Sequence, residues 1–216
     1  MTKRSRDECA LKRGARWYDT QLRRRPLLVK CVTSACIVAL SDVGAQWAVR
    51  ARHQETLRAE EASGSLSVAA VDTSTTPPDD DDTDGAYDPL RTAIVGVGYG
   101  GLCFAPILHA VTTGWARAVP STSPPALLFK VVVDMITSFP VNLGANLSIQ
   151  AYARGTKGGA ADAVRHNFVP TILDGWKFWP LASAVMYGAV PLPYRVLFLN
   201  SCSLGWNFFV SLRFEG

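Results

Sequence analysis

Six polar side chains of this 216-residue chain recur at a four-residue interval: Lys130, Asp134, Ser138, Asn142, Asn146 and Gln150. They supply an amine, a carboxylate, a hydroxyl and three amides. On a helix, successive members are offset by about 40°, so the stripe winds partway round the axis unless the helix bends. Pro140 within it is a residue that bends helices. Such groups can hydrogen-bond across helices or replace water around a passing solute. Interhelical contacts need only one or two of them, so the length of the stripe favours a wet path. Asp42 and Gln46, one turn apart, repeat the theme, as do Asn200, Ser203, Asn207 and Ser211. Lys130 and Asp134 also have the spacing of a simple i,i+4 ion pair.

A second pattern points elsewhere. Gly96-x-Gly98-x-x-Gly101 has the spacing of a dinucleotide-binding loop. That loop needs an acid about 20 residues further on to hold a ribose. The next acid here is Asp134, and Pro106 would fall in the first turns of the required helix. The same glycines suit a helix-packing seam. Gly96 and Gly100 are four apart, as are Gly101 and Ala105, and small residues at that spacing let two helix backbones approach. GxSxG, HExxH and CxxC are absent, and the five cysteines and three histidines show no metal-ligand spacing. The pattern points to no enzyme, no metal and no cofactor. His109 reads as a hydrogen-bonded packing residue.

The elements that carry these groups follow from the distribution of charge. Ten Lys/Arg fall within residues 1–30 and nine acids within 60–90, so the remainder is poor in charge. Residues 92–116, 135–153, 178–194 and 196–212 carry no Asp, Glu, Lys or Arg, and 27–49 is apolar apart from Lys30 and Asp42. A helix of 25 residues reaches about 37 Å, against a bilayer core of about 30 Å. The expected fold is therefore all-α, a polytopic membrane helix bundle of four or five transmembrane segments. The count turns on whether 178–212 crosses once or twice. A basic N-terminal tail (1–25) precedes the bundle (26–213). A Ser/Thr/Pro/Asp-rich acidic loop (52–87) interrupts it and is expected to be disordered. Trp47, Trp115, Trp176 and Trp179 mark segment ends, where indoles favour headgroup level, while Trp206 reads as core.

The C-terminal third resembles the family of the mitochondrial inner-membrane protein Mpv-seventeen and the 22-kilodalton peroxisomal membrane protein. Trp176, Trp179, Pro180, Val190, Pro191, Tyr194, Arg195, Asn200, Trp206 and Ser211 carry the likeness. Ser183 stands where that pattern has Gln, and Met186-Tyr187 where it has Asn-Phe. Tyr18, Leu22, Pro26, Asp42, Gln46, Asp88, Arg91, Thr92, Pro106, His109, Lys130, Asp134 and Pro140 extend the likeness over most of the chain, with Met135 in place of Gln. The resemblance implies about four spans in an organelle membrane, mitochondrial inner or peroxisomal, and channel-like passage of small metabolites. The expected partners are the lipid bilayer, small-molecule solutes and a second copy in a homo-oligomer, with no direct contact to nucleic acid. The expected pore lining is Asp42, Gln46, Lys130, Asp134, Asn142, Asn146 and Gln150. The alternative is a non-conducting scaffold whose polar groups are glue and whose basic tail engages anionic lipid or a protein partner.

Overall fold

The computed structural model describes the backbone of residues 3–64, 87–156 and 158–214, and among these all regular structure is helical. Helix α1 (Lys3–Arg24) carries the basic tail and meets α2 (Pro26–Gly64) at a bend. Helix α3 (Pro89–Ala93), a π-helical segment (Ile94–Phe104) and α4 (Ala105–Ala118) form one rod. Helices α5 (Pro124–Ile136) and α6 (Ser138–Ala153) form another, broken at Thr137. Helix α7 (Gly159–Ala189), a 3-10 turn (Leu192–Tyr194) and α8 (Arg195–Phe214) complete the chain.

Local chemistry sets these boundaries. Asp88 caps α3 by accepting the Arg91 backbone N–H at 2.9 Å, and Pro89 follows at the first helical position. Pro106 has no N–H to give, and its ring crowds the carbonyl four residues back. The widened π-segment directly precedes it, with the Ala105 N–H bonding the Gly100 carbonyl five residues away. Pro140 acts on the second rod in the same way. The break at Thr137 (φ −119°, ψ −73°) lies three residues before it. Between α6 and α7, Gly155 and Gly158 take positive φ of 61° and 95°, which side-chain-bearing residues rarely adopt.

Among the described residues, three helical stretches are long and apolar enough to cross a membrane: Pro26–Thr56, Pro89–Ala118 and Pro124–Ala153. Residues 178–212 make two helices, not one. Val190 turns extended ahead of Pro191, and Phe178 of α7 stacks on Trp206 of α8 with centroids 5.7 Å apart, so the two run as a hairpin. Helix α7 carries the Asp174–Lys177 ion pair in its middle and is not one of those three stretches. The expected boundary at residue 52 is too early. Helix α2 continues to Gly64, because 51–62 consists mostly of strong helix formers without Gly or Pro. The rest of the acidic stretch, 65–86, lies outside the described residues.

The distribution of polarity is inverted relative to a water-soluble protein. Leu40, Leu102, Leu128 and Leu181 are each about two-thirds exposed or more, whereas Lys30, Asp42, Gln46, Lys130, Asp134 and Asn200 are buried. A bilayer accounts for both halves of this pattern. Apolar side chains face lipid, and ionisable ones turn inward to find partners. The glycine motif lies on α2. A Cβ on Gly96 would sit 2.8 Å from Cβ of Ala39, and one on Gly100 would sit 2.8 Å from the Ser34 carbonyl oxygen. Gly101 faces Ala35 at ordinary contact distance, and Ala105 is fully buried. On the glycine side, backbone alone forms this seam, against the small side chains and carbonyls of α2.

Candidate functional site

Most of the buried polar residues described sort into three clusters and one cavity. The first cluster joins α2 to α3. The Asp42 carboxylate accepts from Gln46 Nε2 (2.8 Å), Thr92 Oγ1 (2.7 Å) and Arg91 Nε (3.1 Å). The Gln46 Oε1 accepts the Asp88 backbone N–H at 3.0 Å. Every element of a buried ion pair is present, including the extra hydrogen bonds needed to offset desolvation.

The second cluster centres on Asp134 of α5. Trp115 Nε1 donates to Oδ1 at 2.8 Å, Ser138 donates to the same oxygen at 3.4 Å, and the Tyr187 hydroxyl donates to Oδ2. Two cations lie over the Tyr187 ring, Lys130 at 5.7 Å and Arg195 at 5.3 Å from its centroid. The Lys130 ammonium donates to the Ser121 carbonyl at 2.8 Å, so the i,i+4 pairing with Asp134 suggested by the spacing is not the contact made. Arg195 donates to the Val190 and Tyr187 carbonyls, closing the end of α7. The third cluster is smaller. Asn200 of α8 donates to Ser34 of α2 at 2.6 Å, both fully buried. Nearby, the buried Lys30 Nζ lies 3.0 Å from His109 Nδ1, so His109 pairs with a lysine on the neighbouring helix.

The cavity, of about 90 Å³, lies among the π-segment, α4, α5, α6, α7 and α8. Residue order along the rods gives its course: from Val111, Asp134, Met186 and Leu199 to Tyr99, Asn146, Trp179 and Trp206. Most of its wall is carbon, with Ser138, Asn142, Asn146, Ser183 and Ser203 as polar lining. Two polar atoms of its lining residues are buried without a partner, Asn142 Oδ1 and Trp179 Nε1.

Of the seven residues expected to line a pore, Asp134, Asn142 and Asn146 line this cavity. Asp42 and Gln46 do not, because α2 packs outside it and their polar atoms are spent on α3. Lys130 is tied to Ser121. Gln150 lies past the cavity's end, donating to Asn146 and accepting from Arg154 at 2.7 Å. The side chains of Asn207 and Ser211 lie outside the described residues. Among the tryptophans, Trp47 and Trp176 are exposed. Trp115 and Trp179 turn inward instead of to headgroup level, one onto Asp134 and the other into the core. Pro180 is inside α7, Pro191 opens the turn, and Trp206 packs edge-on against Trp179 with centroids 6.1 Å apart.

Several contributors are not evident from residue type. Tyr187 holds Asp134, and Tyr99 and Phe139 line the cavity. Gly175 leaves the space for the Phe139 ring, since a Cβ there would meet it at 2.2 Å. A glycine in the middle of an apolar helix was the one available signal. Met135, Ser183 and Met186, where the family pattern has amides, all line the cavity.

At the α1 end, outside the three long apolar stretches, the Tyr194 hydroxyl donates to Asp19 at 2.9 Å and Arg23 to the same carboxylate at 3.1 Å. The bond from Tyr194, then that from Arg23, holds the Asp19 carboxyl below its usual range, and the same contact raises the Tyr194 phenol.

An inverted bundle with glycine seams, paired internal charges and a central cavity defines a polytopic membrane helix protein. Residues 153–211, spanning the α7–α8 hairpin, match the Mpv17 / PMP22 family. The chain is 27% identical to Protein SYM1 of Gibberella zeae, over 91% of this chain and 94% of that protein. It is 29% identical to Protein sym-1 of Neurospora crassa, over 90% and 95%. Peroxisomal membrane protein 2 of Bos taurus is 25% identical over 90% of this chain and 86% of its own length. The chain is thus similar to the Mpv17 / PMP22 family in its α7–α8 hairpin and to these three proteins over about nine-tenths of its length. No solved structure matches it.

Proposed function

We propose that this protein is a non-catalytic conduit for small solutes across an organelle membrane, with the mitochondrial inner membrane as its compartment and the peroxisomal membrane as the alternative. The cavity carries this reading. It runs beside the α5–α6 rod from Asp134 to Asn146, about 18 Å at about 1.5 Å per residue, or roughly half of a bilayer core. Its wall carries Ser138, Asn142, Asn146, Ser183 and Ser203, polar side chains that are costly in a membrane interior and that a purely apolar seam does not need. The Asp134–Tyr187–Trp115 cluster lies at one end, and the Trp179 and Trp206 rings lie at the other.

The test is solute entry into proteoliposomes. Wild-type protein should carry small solutes faster than protein-free vesicles. Ser203→Phe, which fills the chamber, should return the rate to the protein-free level while the protein remains helical and monodisperse. Folded wild-type protein that carries nothing would favour the scaffold reading. The completeness of the Asp42 cluster supports that second reading, since it acts as glue between helices.

A further inference from the structure

We infer that the outward face of α1, formed by Arg13, Arg16, Trp17 and Arg24, is a binding surface for the headgroup of an anionic phospholipid in the leaflet where α2 begins. It stands on observations apart from the cavity and holds whether or not the protein conducts.

Helix α1 does not run straight on into α2. A straight helix would set Tyr18 and Thr33 about 22 Å apart, at about 1.5 Å per residue, yet their hydroxyls lie 3.4 Å apart. The bend at Arg25 and Pro26 is therefore sharp, and α1 turns back toward the end of the bundle. Tyr194, in the turn between α7 and α8, holds it there through Asp19. At about 100° per residue, Tyr18 and Leu22 share one side of α1, and Leu22 is buried there. Arg13, Arg16, Trp17, Thr20 and Arg24 fall within an arc of about 100° on the other side, and all five are exposed. A row of guanidinium groups alone would suit water. Trp17, 64% exposed among them, would not, because an indole has an apolar body and a polar tip and favours headgroup level. Lipid adjoins this face, since Leu27, Leu28 and Val32 are exposed just beyond Arg24, at the start of the first long apolar stretch. A planar guanidinium meets a phosphate through two parallel N–H bonds. Asp19, the one acid among the described side chains of α1, is engaged by Tyr194 and Arg23. An acidic protein segment would answer the arginines but give Trp17 no boundary between hydrocarbon and water, so a phospholipid fits both halves of the face.

The experiment uses full-length protein in phosphatidylcholine nanodiscs, labelled with 15N at the indole nitrogens of its six tryptophans. The resonance lost in Trp17→Phe identifies Trp17. It should shift saturably as phosphatidylglycerol replaces phosphatidylcholine. Arg16→Gln should raise the half-saturating fraction about fivefold, the factor carried by one cation at an anionic surface. Arg16→Lys, which keeps the charge, should recover most of that loss. Helical circular dichroism checks that each variant stays folded. No shift with phosphatidylglycerol, or the same half-saturation in Arg16→Gln as in wild type, would overturn the inference and leave a merely solvated face. Equal shifts in pure phosphatidylcholine discs on adding glycerol 3-phosphate or hexa-aspartate would overturn it in favour of a soluble phosphate or an acidic protein segment.

Discussion

The Asp42 cluster and the cavity beside Asn142 are built from the same residue types, carboxylate, amide and hydroxyl, yet they are opposites. Around Asp42, three donors converge on one carboxylate and the amide of Gln46 is used at both ends. Around Asn142, the amide nitrogen is spent on the Ser138 carbonyl at 2.9 Å while its oxygen has no partner, and neither has the indole of Trp179. A polar group inside a membrane bundle thus has two uses, and saturation distinguishes them. A complete set of partners ties helices together. A partly used group lines a void instead.

The sharpest way to break the comparison is Asp42→Leu. It leaves the Arg91 guanidinium, mostly buried, without its carboxylate, at a cost of about 3–5 kcal/mol. Unfolding in detergent, followed by helical circular dichroism, should report that loss. A much smaller one would mean that the cluster does not hold α2 to α3. The matching change at the cavity, Asn142→Leu, should stay within about 1 kcal/mol of wild type, because it removes an acceptor that is already unpaired. A loss as large as that at Asp42 would make the cavity residues glue as well.

The smallest effect is expected at the α1 end, which tests whether saturation outside the spans follows the same rule. The folded carboxyl of Asp19 lies below its ordinary value, so its contribution is complete above the unfolded value near 3.9 and fades as pH falls through the folded one. Amide exchange in α1 should therefore speed up on acidification below about pH 4, and Asp19→Asn should remove that pH dependence. Unchanged exchange in the wild type across this range would show that the Tyr194–Asp19 bond does not hold α1.

Much of the fold is legible in the residues because the bilayer is a severe solvent. It demands long charge-free runs, and four of the helices, α2, α4, α6 and α8, coincide with such runs or with the apolar stretch at 27–49. Gly96 and Gly100 give the seam against α2 through their spacing, and Pro140 gives a break in its rod. Of the cavity lining, Asp134, Ser138, Asn142, Asn146 and Ser203 were evident as polar series, because each series keeps a regular interval along one rod or helix. Trp115 and Tyr187 were not, because their partner lies on another helix 19 or 53 residues away.

Local order, then, determined which stretches enter lipid, where prolines disturb them and which glycines admit a neighbouring backbone. Each of those is an interaction between a few adjacent residues and the solvent. Whether Asp42 or Asn142 ends saturated or unsaturated depends on which groups other helices bring within about 3 Å. That matching of donors and acceptors across the bundle is decided only when the helices pack.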